Sequence, residues 1–178
     1  MNGWEKDKRW SDQFIPEIKY ILAQYLISEA PVEEDQERNT DLIVLTLKPY
    51  RIACRVRSNQ YLAKYGDEFT IRSGRPSGCK TELQKIIEGW GDFFLYGFCD
   101  ASESKLIMYL LGDLSVFRVW FNRAICRMPP NCLPGVKQNN HDKSSCFLAF
   151  KETEMPDDFF IAKLDNQVFS GKQMALFS

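Results

Sequence analysis

The sequence predicts a single α/β domain, a central mixed β-sheet flanked by helices with a C-terminal β addition. Apolar runs of strand length alternate with segments whose apolar residues recur at helical spacing. Their order is helix, two or three strands, helix, strand, strand, helix, and such an order layers helices onto a mixed sheet. A chain of 178 residues, 44% of them hydrophobic, is long enough to close one core without staples.

Residues 11–28 open the pattern. Phe14, Ile15, Ile18, Ile21, Leu22, Tyr25 and Leu26 make one apolar stripe, with Ser11 or Asp12 as the cap and Pro16 near enough to the start to be tolerated. An acidic stretch, 33–39, follows. Two β-branched runs, 42–47 and 51–57, are separated by Lys48, Pro49 and Tyr50 and predict a hairpin. In the second run alternation sets Ile52, Cys54 and Val56 on one face, and Arg51, Arg55 and Arg57 on the other.

Residues 68–72 predict a short strand. The loop 73–79 leads to a helix over 81–88, where Thr81 and Gln84 fit a capping box and Leu83, Ile86 and Ile87 point to the core. Gly89 and Gly91 stop that helix. Strands follow at 92–99 and 106–111. Asp113 then starts a helix with Val116, Phe117, Trp120 and Phe121 inward. After a Pro-rich loop come a strand at 146–150 and a short apolar piece at 159–162.

Charge and cysteine content bound the function. The net charge of -1 argues neither for nor against nucleic acid, so only local clustering speaks. No apolar run approaches the roughly 18 residues that span a bilayer, so no membrane partner is expected. The start, MNGWEKDKRW, lacks an apolar stretch and cleavage site, and a cytoplasmic location is expected. The six cysteines fit no disulfide scaffold and read as reduced thiols, those at Cys54 and Cys99 within apolar strands. Cys126, Cys132, His141 and Cys146 lie close in sequence, but C-x5-C-x8-H-x4-C is no common zinc spacing and a structural zinc is not expected.

Residues 12–123 resemble the PD-(D/E)XK, or restriction-endonuclease-like, superfamily. The resemblance rests on the opening helix, on Asn39-Thr40-Asp41 entering an apolar strand, and on the helix–strand order that follows. It implies a nuclease-like core with 124–178 as a C-terminal extension packed on it. The chain is also similar to small bacteriophage-encoded proteins of this type. The family pattern places Glu-x-Lys on the second hairpin strand, where this sequence has Arg55 and Arg57. An arginine between carboxylates repels Mg²⁺, which takes hard oxygen ligands. Some members carry the acidic residue on the following helix, and Glu82 stands there. The resemblance thus implies a migrated site in which Asp41, Glu82 and Lys85 are catalytic and Asp41, Glu82 and Glu17 hold Mg²⁺ for phosphodiester hydrolysis. A second threading uses Asp67 and Glu68 instead.

Each of these residues also has a plain structural reading. Asp41 is equally a solvated strand end. Glu82 in a first turn complements the helix dipole, and Lys85 one turn on is placed to pair with it. Arg51, Arg55 and Arg57, with Arg72, Arg75 and Lys80 near the Gly-rich loop, form a cationic face that favours an anion against it. Nucleic acid, DNA before RNA, is the expected partner, with backbone N–H groups of 73–78 assisting. The competing reading neutralises this face internally with Glu33, Glu34, Asp35 and Glu37. A catalytically inactive nuclease-fold protein that binds nucleic acid, or one that inhibits a host defence protein, therefore stands beside the nuclease. A dimer is open in each case.

Overall fold

The computed structural model describes residues 3–29, 42–44, 50–140 and 145–164, with the backbone alone at 3–4, 25–29 and 42–44. Five helices are described: α1 (Gly3–Asp12), α2 (Ile15–Leu26), α3 (Leu62–Tyr65), α4 (Glu82–Ile87) and α5 (Leu114–Ile125). The strands are β1 (Ile27–Glu29), β2 (Leu42–Val44), β3 (Ile52–Arg57), β4 (Glu68–Gly74), β5 (Phe93–Cys99), β6 (Leu106–Asp113), β7 (Val136–Asn139), β8 (Cys146–Lys151) and β9 (Phe160–Leu164). The protein is mixed α/β, as its sequence predicts. A four-stranded mixed sheet in the order β3-β5-β6-β9 accompanies a three-stranded sheet, β4-β8-β7, and a small β1-β2 pair.

β5 is the organising strand. Its apolar run is nearly continuous, so it has something to bury on both faces. Phe94, Tyr96 and Phe98 join a cluster with Phe69, Ile71, Leu148 and Phe150 of the second sheet and Phe117 and Phe121 of α5. Leu95 and Cys99 join another with Phe14, Ile18 and Ile21 around α2. The larger cluster is rich in rings, with Phe69 stacked at 5.5 Å on both Phe150 and Phe159.

Among the described residues, 42–44 and 52–57 do not pair as the expected hairpin; residues 45–49 lie outside them. β3 pairs in parallel with β5, Ile52 opposite Phe93 and Arg57 opposite Phe98. β2 pairs antiparallel with β1. Parallel pairing needs a long crossover, and residues 58–92 supply one. The turn chemistry around Pro49 was a local signal, and an apolar strand seeking two neighbours outweighed it. The opening helix is also divided. α1 ends at Asp12, a turn closes from the Phe14 amide to the Ser11 carbonyl at 3.2 Å, and α2 restarts with Pro16 in its first turn. Ser11 thus closes α1, with its hydroxyl on the Lys8 carbonyl at 3.0 Å, instead of capping a longer helix.

Other local readings hold. Thr81 and Gln84 exchange both capping-box bonds, at 2.7 and 3.3 Å. Asp113 caps α5 through the Ser115 and Val116 amides. The C-terminal segment contributes to both sheets: β8 lies between β4 and β7, and β9 adds to β6. No described helix is long and apolar enough to cross a membrane. The six cysteines are unbonded, with Cys99 buried and Cys54, expected inside, exposed.

Candidate anion site

Strand geometry assembles the site. Along β4, Phe69 and Ile71 enter the core, and alternation gives Thr70 and Arg72 the other face. Arg72 lies directly opposite Phe147 of β8 in the antiparallel register. Its guanidinium carbon sits 5.4 Å from the Phe147 ring centre. Arg55 reaches the same ring from β3, at 5.2 Å. One aromatic ring therefore holds two guanidinium groups, a cation–π arrangement that also brings like charges together.

Among the described residues a single carboxylate bonds to them. Glu82 Oε2, at the start of α4, accepts from Arg55 Nη2 at 2.5 Å and from the Arg72 amide at 3.0 Å. The pair is mostly covered, the side chains keeping 18% and 23% of their exposure. Arg72 Nε is buried and has no acceptor among the described residues. Burial lowers the Arg72 pKa from its usual value; the charges of Arg75 and Arg55 lower it further, and those of Glu82 and Asp7 oppose them. An arginine does not shed its proton at ordinary pH, so the lowering marks a charge that its burial and its arginine neighbours disfavour.

Arg57, two residues beyond Arg55 on the same face of β3, occupies a second subsite. Its Nη1 donates to Thr70 Oγ1 at 3.3 Å and to Tyr96 Oη at 3.2 Å. Those two hydroxyls lie 3.4 Å apart. The exposed Tyr61 ring covers the guanidinium at 4.8 Å. Tyr65 follows at 6.4 Å from Tyr61, with Lys64 Nζ over it at 5.1 Å.

Comparison with protein-family models, with curated proteins and with solved structures finds no match.

Of the residues singled out in the sequence, Arg55, Arg72 and Glu82 come together, with Arg75 acting on Arg72 through its charge and Arg57 alongside. Lys80 does not join them; it pairs with Glu88 at 2.8 Å. Arg51 is exposed, and its backbone is tied to Asp92, whose Oδ2 accepts from its amide at 2.7 Å. Lys85 is exposed and does not pair with Glu82, which has Arg55 as its closer partner. In the loop ahead of α4 the Gly78 amide donates to the Arg75 carbonyl at 3.3 Å, and at the helix start Thr81 occupies the Gln84 amide.

Asp41, the acidic stretch 33–37 and His141 lie outside the described residues. Glu17 is far from Glu82 in role. It stands on α2, whose apolar face belongs to the other core cluster, and its Oε2 accepts from the Leu106 amide at 2.8 Å. Glu68 of the second threading accepts from Gln138 at 3.0 Å. Among the described residues no three acidic, histidine or cysteine side chains converge as a metal-binding group. Of the expected Mg²⁺ set, Glu17 accepts from the Leu106 amide and Glu82 from Arg55 and the Arg72 amide, each through Oε2.

Phe147, Tyr61, Thr70 and Tyr96 were not singled out from sequence. Thr70 and Arg72 at alternate positions of one strand were the available signal. Phe147 needed the β4–β8 register, which sequence pattern does not supply.

Proposed function

We propose that this protein binds nucleic acid through its phosphates, using Arg55, Arg57, Arg72 and Arg75, and that binding is its function. One observation carries the proposal: among the described residues Arg72 Nε is buried without an acceptor, in a cluster where Glu82 is the one carboxylate in hydrogen-bond contact. A buried donor left unpaired costs about 1–3 kcal/mol, more beside like charges. A phosphate oxygen relieves that cost, and guanidinium forks match phosphate geometry. The hydrolytic reading requires Glu82 to leave Arg55 for Mg²⁺, and no described carboxylate stands ready to help it.

The test is fluorescence anisotropy of labelled oligonucleotides at low salt, with and without Mg²⁺. Binding that weakens with salt is expected, with Arg72→Ala and Arg75→Ala each reducing the slope of log K against log salt by about one unit. Absence of binding at low salt would overturn the proposal and leave the arginine face to a protein partner. Cleavage that appears with Mg²⁺ and is lost in Glu82→Gln would replace it with the nuclease.

A further inference from the structure

Resting on that reading, we infer that the ligand is a single strand, with one base stacked on Tyr61 while its neighbouring phosphates meet Arg57, Arg55 and Arg72. Three observations point there.

The cations are recessed. Arg55 keeps 18% of its side-chain exposure, and Arg57 is engaged with Thr70, itself only 2% exposed. The phosphates of a duplex lie on a stiff convex surface and do not bend inward to such groups. A single strand can turn each phosphate toward them.

The mouth of the site is aromatic. Tyr61 keeps 40% exposure while lying over the Arg57 guanidinium, and Tyr65 and Lys64 extend the same ring-and-cation pattern along α3. An exposed ring beside a cation is a platform for an unpaired base, whose π-face is covered in a duplex. Phe147 repeats the pairing deeper in the site.

The spacing is the third. Arg55 and Arg57 are two strand residues apart, about 6.6 Å of rise on one face, so successive contacts run along β3 toward Tyr61.

The experiment compares a fluorescein-labelled dT oligomer, an rU oligomer of equal length, a mixed-sequence duplex and inorganic pyrophosphate on the full chain. Single strands are expected to bind at least tenfold more tightly than the duplex, with the dT and rU arms separating DNA from RNA. Tyr61→Ala is expected to lose about tenfold in single-strand affinity, the scale of one base–aromatic stack, and Tyr61→Phe to restore it. Circular dichroism checks that Tyr61→Ala folds; if it does not, the strand preference of the unaltered protein decides alone. Equal or tighter duplex binding, or a folded Tyr61→Ala with unchanged affinity, overturns the single-strand inference and leaves phosphate binding standing. Pyrophosphate binding without any oligonucleotide binding overturns both readings and leaves a site for a small phosphorylated ligand. No binding to any of the four removes both.

Discussion

Arg55 Nη2 and Glu82 Oε2 meet at 2.5 Å, and this contact joins the residue that departs from the nuclease pattern to the one expected to compensate for it. The sequence placed them as alternatives, an arginine where an acid should be and an acid displaced to the next helix. The fold makes them partners. Glu82 thereby acts as an internal anion, holding the strand arginine and the Arg72 amide together.

Replacing Glu82 with Gln separates the two roles of that carboxylate. Losing a charged acceptor from a mostly covered pair is expected to lower stability by about 1.5–3 kcal/mol, read as a reduced urea midpoint. Oligonucleotide affinity is expected to rise, because a competing negative charge has left the site. A variant that is both less stable and weaker in binding would show that Glu82 positions the arginines and does not compete with the ligand.

Arg57 and Arg75 are expected to differ sharply as alanine variants. Arg57→Ala removes two hydrogen bonds and leaves the Thr70 and Tyr96 hydroxyls, both on residues 2% exposed, with only their mutual 3.4 Å contact. The cost is about 1–2 kcal/mol. Arg75→Ala, on the surface, should stay within about 0.5 kcal/mol of the parent. Paired thermal melts check this; equal melting temperatures would mean that the Arg57 bonds add nothing net.

Gly112 is a packing requirement at the centre of the aromatic core. A methyl group there would stand 2.2–2.9 Å from three atoms of the Phe159 ring. Gly112→Ala is expected to cost about 1–3 kcal/mol through overpacking. Adding Phe159→Leu should recover part of the loss, since it removes the obstructing ring edge. A double variant less stable than both singles would place the strain elsewhere.

Asp100 sets an acid limb. In the turn joining β5 to β6, its carboxyl is held well below the usual aspartate range by the Ser102 hydroxyl, with the Ser104 and Lys105 amides and the Ser104 hydroxyl adding to the effect. A depressed carboxylate contributes stability that is fully present above its unfolded pKa, about 3.9, and lost as pH falls through the lower folded value. Asp100→Asn should therefore be less stable than the parent at pH 6, and the gap should be narrower at about pH 3, where the carboxylate is protonated in the unfolded chain and still ionised in the folded one. Urea unfolding at the two pH values measures it. A gap that is constant with pH would assign the effect to turn geometry instead of charge.

Local chemistry was legible in the sequence. The Thr81–Gln84 box, the Asp113 cap and the strands at 93–99 and 106–113 each follow from residues within a few positions of one another, where propensity and periodicity act. The alternation of β3 was also legible, and it sets Arg55 and Arg57 on one face in the structure as in the sequence. Long-range partnership was not. Whether 51–57 pairs with its neighbour or with a strand some forty residues away depends on which arrangement buries β5 on both faces, a property of the assembled sheet. The same holds for the site. The sequence by itself determined that the chain carries an arginine-rich strand within an α/β domain. Only tertiary structure decided that Glu82 neutralises Arg55, that Phe147 lies against Arg72, and that Tyr61 covers Arg57. Those contacts depend on register and sheet packing, and strand periodicity alone is indifferent to both.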